Sequence, residues 1–461
     1  MKLAILGTGP GGYVAAIRSA QLGAHVTVIE EKEVGGTCLN WGCIPTKSFV
    51  ASAEIFSKTR RLEEYGLELH GEIIPNFSKI IERKNKIVNT QINGIRNLFK
   101  SWGITLKQGR GTIISPREIR IAFPNASEET IEADNIVIAT GSRPYELPGI
   151  PFDGKRIISS DEALNLSDMP KRLIIIGAGV IGCEFACIYR ELGSEVSIIE
   201  MLPRVLPTED LEISRLFERE LKKKRITLYL NTKVQRIDMH HDSVHVFLSD
   251  GKEAVAEKVL VSVGRAFNSN NIGLKQIGIN IGSWGEIVVN KKMETNIPNV
   301  YAIGDVTGGF MFAHVASREG IIAAENVSGC NKNIDYSAVP SAIFTSPEIA
   351  SVGIREHQAE EKGLKVKTGY FQFRALARAH AISEIEGFIK IISDEKTDKV
   401  LGVHIMGPHA TELIHQAALA ISTGLKAKDI AETIYAHPTL SEGLMEAAKD
   451  IYHEAIHIQK Q

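Results

Sequence analysis

The sequence predicts an α/β protein in which one strand–helix–strand plan is used twice and a third, smaller α/β region follows. Three observations carry this. "KLAILGTGPGGYVAAIRSAQLGAHVTVIE" (2–30) and "RLIIIGAGVIGCEFACIYRELGSEVSIIE" (172–200) share an order of parts. Each has an apolar β-rich run, three glycines, a helix-length stretch, a Leu-Gly stop and a second β-rich run ending in Glu. Towards the C-terminus, "GFIKIISDEKTDKVLGVHIMG" reads as two β-rich runs joined by a polar turn. "HATELIHQAALAISTGL" then places apolar residues at helical spacing.

The first copy uses Gly7, Gly9 and Gly12 with Glu30, the second Gly177, Gly179 and Gly182 with Glu200; both span 23 residues from first glycine to acid. The chemistry explains the spacing. The first glycine makes the tight turn, the second lets backbone approach a pyrophosphate, and the third lets helix close on strand. The helix N-terminus offers unpaired N–H groups to the phosphates, and the acid receives ribose hydroxyls. Two Rossmann-like dinucleotide-binding domains follow. "MLPR" after Glu200 puts no arginine directly beside the acid to take a 2′-phosphate, so the second site favours NAD over NADP.

Between the two copies lies "GGTCLNWGCIPTKS" (35–48), with Cys38 and Cys43 five positions apart. No second close pair and no nearby His-x-x-x-His accompanies them, so the ligand pattern of zinc is missing and no metal is expected. In an ideal helix this separation is about 7.5 Å along the axis, too long for a disulfide without a distorted turn. Gly42 and Pro45 are placed to allow one. A redox pair and two reduced core thiols are the readings left, and the redox pair is favoured. The helix expected from Pro45 or Thr46 would support a thiolate on Cys43. A sulfur pair just after the first ribose acid would lie close to a flavin held there, with a nicotinamide on the other site.

With 461 residues, 44% hydrophobic and 23% charged, the chain has ample material for several cores. A formal charge of −2 gives no reason to expect nucleic acid or an acidic membrane surface. The apolar start runs straight into glycines, unlike a secretory signal, and the cytoplasm is the expected compartment.

These motifs, with "ATGSRP" (139–144), "VSVGR" (261–265), "YAIGDV" (301–306) and "AHPTLSE" (436–442), occur in one order. In them the chain resembles the flavin-dependent pyridine nucleotide disulfide oxidoreductases, along essentially its whole length. The resemblance is greatest to members that oxidise protein-bound dihydrolipoyl groups and reduce NAD. It implies FAD on the first triad with Glu30, and NAD on the second with Glu200 and Gly264. It implies further FAD contacts from Gly111, Gly141, Asp305, Ala313 and Lys47, with Glu184 as the partner of Lys47. Cys38 and Cys43 become the redox-active disulfide, and His437 the base, oriented by Glu442. Domains are expected at 1–145 with 273–340 for FAD, 146–272 for NAD and 341–461 for dimerisation. The implied partners are a second copy of the chain and the lipoyl-bearing acyltransferase of a 2-oxoacid dehydrogenase complex, or the glycine cleavage system. Trp41, Phe267 and Phe312 depart from the family's usual residues.

Overall fold

A computed structural model of the chain describes residues 1–458. They form two compact units, one from residues 1–48, 78–145 and 264–335, the other from 49–77, 146–263 and 336–458. No described helix is long and apolar enough to cross a membrane.

In the first unit a five-stranded parallel sheet runs in the order Val300–Ala302, Asn135–Ile138, Lys2–Leu6, His25–Glu30, Thr105–Gln108. Lys2–Leu6 is buried after its first residue, as a strand covered on both faces must be. Helix Pro10–Gln21 packs on helix Ala313–Val327; Gly320 permits this, because a Cβ there would strike the Gly11 carbonyl. A three-stranded antiparallel sheet, 110–132, closes one side of the core. An amphipathic helix spans Phe77–Ser101 and buries Val88, Ile92, Ile95 and Phe99. It also buries Lys84 in the same stripe, a residue the apolar pattern passes over.

The second unit contains a three-stranded antiparallel sheet, 234–256, and two five-stranded sheets. One is parallel, in the order Thr227–Tyr229, Glu195–Ile199, Arg172–Ile176, Lys258–Val261, Ile157–Ile158. The other is antiparallel, in the order Pro340–Ile343, Glu348–Gly353, Val400–Gly407, Phe388–Asp394, Val366–Gln372. The expected hairpin and following helix are Phe388–Asp394, Val400–Gly407 and Ala410–Thr423.

A buried charge cluster joins these sheets. Lys390 Nζ lies 3.2 Å from Asp210, 3.0 Å from Glu212 and 2.5 Å from Glu356. Its cross-strand neighbour is His404, fully buried, whose Nε2 donates to the Ile354 carbonyl at 3.0 Å. Burial pushes the His404 imidazole down to about 4, against the pull of Asp210. The folded chain therefore refuses a proton that the unfolded chain accepts below about pH 6.5. Stability is unaffected by this group above that pH and is lost as pH falls towards 4. Between pH 7.5 and 5 the loss should be about 2 kcal/mol. Urea unfolding at the two pH values checks it: His404→Gln should lose less by that amount.

Candidate active site

The two glycine loops are near copies. Gly7 has φ +99° and Gly177 +105°, both left-handed, and a Cβ at either would meet the backbone of Ala139 or Ser262. A methyl on Gly12 would strike the Gly7 carbonyl, and one on Gly182 the Gly177 carbonyl. Gly9 and Gly179 each cap the following helix, and nothing lies within 4 Å of a Cβ built there. That is the space a pyrophosphate needs in front of the helix N–H groups.

Both acids are buried and aimed back at their loops. Glu30 Oε2 accepts from Thr8 N at 2.9 Å and Thr8 Oγ1 at 2.6 Å, and Oε1 from Lys32 N at 2.9 Å. Glu200 Oε2 accepts from Ala178 N at 2.7 Å and Oε1 from Leu202 N at 2.8 Å. Each carboxylate is thus oriented by backbone and retains lone pairs for ribose hydroxyls. Two dinucleotides fit these cradles.

The dithiol segment is fastened to the first loop. Gly35 N donates to the Thr8 carbonyl at 3.1 Å, and a Cβ on Gly36 would be 2.7 Å from Gly9 Cα. Cys38 sits in helix Gly36–Asn40, and Cys43 is the first residue of helix Cys43–Thr59. That helix begins earlier than the Pro45–Thr46 start the sequence suggests. Proline is tolerated in a first turn because its missing N–H would have no partner there, and Thr46 N already donates to the Gly42 carbonyl at 3.1 Å. The two cysteines are thiols, hydrogen bonded to each other. That bond, then burial, holds the Cys38 thiol far above its ordinary range, while the Lys47 ammonium works the other way.

Gly42 acts through space rather than through φ. A Cβ there would lie 3.0 Å from the Thr37 carbonyl oxygen and 3.3 Å from Cys38 Cα. Gly42→Ala should therefore push the two sulfurs apart. The expected result is a loss of dithiol turnover of roughly tenfold or more, the size misplacement of reacting groups can reach. NADH-dependent ferricyanide reduction, which bypasses the sulfurs, should persist.

Asp305, in the turn Gly304–Thr307, accepts from the Ser142 hydroxyl and lies 3.7 Å from Arg265 Nε. Arg265 also donates to Ser142 Oγ at 2.6 Å and Ser142 O at 3.0 Å. Strands Ser142–Pro144 and Arg265–Phe267 pair, so Gly141 (φ +68°) and Gly264 (φ +130°) open two adjoining crossovers. Glu319 accepts from Gly304 N at 2.6 Å. The sequence reading did not single out Thr8, Ser142, Arg265 or Glu319, although Ser142 and Arg265 stand inside quoted motifs. Gly111 faces Leu6 and Ile29, so packing alone already demands a glycine there. Ala313 opens helix Ala313–Val327 behind Phe312, whose ring stacks on His314 at 5.2 Å. Lys47 belongs to the first unit. Glu184, in the second, is buried and accepts from Phe344 N at 2.9 Å.

In the second unit His437 Nδ1 is 2.9 Å from Glu442 Oε1, and Glu442 Oε2 accepts from Thr439 N at 2.8 Å. Burial works to raise the Glu442 carboxyl, but the Thr439 and His437 hydrogen bonds prevail and hold it below the ordinary range. An ionised carboxylate only accepts, so Nδ1 carries the proton and Nε2 is the basic nitrogen. The His437 side chain is 71% exposed.

A family model described as pyridine nucleotide-disulphide oxidoreductase matches residues 1–320. The chain belongs to this family. A model for the family's dimerisation domain matches residues 339–448. Dihydrolipoyl dehydrogenase of Chlamydia trachomatis is 44% identical over 446 residues, 96% of this chain and 95% of that protein. The Bacillus subtilis dihydrolipoyl dehydrogenase is 43% identical over 98% of each. Among solved structures, LpdA from Mycobacterium tuberculosis superposes with a TM-score of 0.92 at 30% identity, covering 97% of this chain and 99% of that one. The chain is a flavoprotein disulfide oxidoreductase, and FAD and NAD(H) are the dinucleotides of its family.

Proposed function

We propose that this enzyme oxidises protein-bound dihydrolipoyl groups to lipoyl and reduces NAD to NADH. The observation that carries the reading is the Cys38–Cys43 pair fastened across the first dinucleotide cradle. Likeness over nearly the full chain to dihydrolipoyl dehydrogenases supports the substrate.

His437 Nε2 takes the proton from one substrate thiol while Glu442 holds the ring and stabilises the imidazolium. The substrate thiolate attacks Cys38 Sγ of the oxidised pair; a mixed disulfide forms, the Cys38–Cys43 bond breaks, and Cys43 leaves as thiolate. Its place at the first residue of a 17-residue helix favours that anion. The imidazolium releases that proton to solvent, and His437 Nε2 then takes the proton of the second substrate thiol. This thiolate attacks the substrate sulfur of the mixed disulfide; that bond breaks and Cys38 leaves, taking the proton back from the imidazolium. Substrate is oxidised by two electrons and the cysteine pair is reduced by two. FAD, when bound, supplies the carrier that takes those electrons on to NAD. Lys47 keeps positive charge near the sulfurs.

FAD is assigned to residues 1–145 and 273–340, NAD to 146–272 and dimer contacts to 341–461. Gly111, Gly141, Asp305 and Ala313 serve the first cofactor, Gly264 the second, and Glu184 supports Lys47. The base serves a second copy of the chain. In support, Ile434, three residues before His437, is 97% exposed, an apolar side chain that a partner would cover. The lipoyl donor is the acyltransferase of a 2-oxoacid dehydrogenase complex or the glycine cleavage system, in the cytoplasm.

Steady-state kinetics test this. Dihydrolipoamide with NAD should give kcat/KM at least about 10²-fold above glutathione with NADP, because specificity is a difference between two affinities. Preference for the second pair would overturn the reading.

A further inference from the structure

The helix that carries Glu442 at its first position, Glu442–Asp450, carries a second acid one turn later. Glu446 is 1% exposed. Its Oε2 accepts from Ile456 N at 2.9 Å and His457 N at 3.1 Å. Its Oε1 is buried and accepts no hydrogen bond among the described residues. The chain after the helix therefore turns back and is fastened by a carboxylate from beneath. This places His457 Nδ1 3.5 Å from Glu446 Oε1.

We propose that residues 456–457 form a strap, held by the Glu446 carboxylate, that makes His457 a positioning residue for the His437–Glu442 pair. The inference rests on the reading of His437 as the base. Residues four apart share a helix face, so a group lying over Glu446 also lies near Glu442. A positive charge at His457 is accordingly felt at Glu442, where it adds to the Thr439 and His437 hydrogen bonds that hold the carboxyl below its ordinary range against burial.

Several other charged groups of the described residues surround the strap. Lys449, on the same helix, is 3.9 Å from Glu446 Oε1. From the sheet beneath, Asp450 takes the Tyr370 N–H at 2.9 Å, and Lys390 is engaged by Asp210, Glu212 and Glu356. The chain just before the strap brings Glu454, which pairs with Lys428 at 3.3 Å. The His457 imidazole, when protonated, is the cationic group of the strap, and its Nδ1 faces Glu446 Oε1.

The sign of its effect follows. Without a cation at 457, Glu442 is easier to protonate, and a like charge is gone from beside the base. Both changes carry the acid limb of dithiol oxidation to higher pH. A permanent cation does the reverse.

The test uses full-length, FAD-loaded enzyme carrying His457→Gln or His457→Lys. For each, kcat/KM for dihydrolipoamide is followed against pH, with NADH–ferricyanide reduction as the control that needs no base. The acid limb should move up by about half a pH unit in His457→Gln, as expected for one partly screened charge. In His457→Lys it should move down, and ferricyanide reduction should be unchanged in both. Movement in the same direction, no movement in either variant, or parallel loss of both reactions would overturn the proposal. His437→Gln is measured alongside. If it keeps the wild-type profile, the base assignment itself fails; if it loses the limb while both His457 variants keep it, only the strap inference fails.

Discussion

Replacing Cys38 with serine should lower dihydrolipoamide-dependent NAD reduction by roughly 10³-fold or more, the scale on which loss of a nucleophile acts. A hydroxyl oxygen cannot accept a substrate thiolate to form a sulfur–sulfur bond, so the first exchange has no acceptor. The fold should survive. Cys38 lies in a short helix set by Gly35, Gly36 and Thr8 through backbone contacts, and none of these uses its sulfur. The variant should therefore purify yellow, with flavin bound, and still pass electrons from NADH to ferricyanide. Turnover within tenfold of wild type would remove Cys38 from the relay.

The second large effect concerns His437. Substitution by glutamine should reduce dithiol oxidation by about 10²- to 10⁴-fold, the usual worth of a positioned general base. The geometry argues that the loss is chemical. Glu442 takes its other hydrogen bond from Thr439 N at 2.8 Å, so the turn stays anchored when the imidazole goes. Because the carboxyl is held below its ordinary range, Glu442 remains ionised through neutral pH. The Glu442→Gln profile should therefore fall in height and its acid limb move to lower pH, because the imidazolium loses the anion beside it. Subunit mixing asks whom the base serves. Cys38→Ser and His437→Gln chains, each inactive alone, should on random two-fold pairing recover about a quarter of wild-type activity. If the base served its own chain, no mixture would recover any.

Much of this was legible before any coordinates, and the reason is locality. Gly7, Gly12 and Gly177 are demanded by turns and close approaches within one strand–helix–strand unit, so spacing alone reveals them. His437 and Glu442 are five residues apart and meet within a single turn. The less legible parts join residues distant in sequence. Lys390 stands in "FIKIISD" as a stray cation in an apolar strand, and its partner Asp210 is 180 residues away. Ser142 and Asp305, 163 apart, meet because strands Asn135–Ile138 and Val300–Ala302 run side by side and end next to each other. Lys84 sits inside an amphipathic stripe whose period is satisfied without it. Helix Cys43–Thr59 starts two or three residues before the expected Pro45 or Thr46, because proline reads as an opening signal, whereas a first turn accepts it at a later position. No local pattern marks Glu446, whose hydrogen bonds come from a chain that folds back ten residues later.

Counting electrons tests the whole scheme most directly. Anaerobic titration of the FAD-loaded wild-type protein with dithionite should consume two equivalents per subunit before the flavin is fully bleached, one for the cofactor and one for the sulfur pair. Cys38→Ser should need one. Full bleaching of the wild type after a single equivalent would mean that Cys38 and Cys43 exchange no electrons with the flavin, and the proposed relay would be wrong.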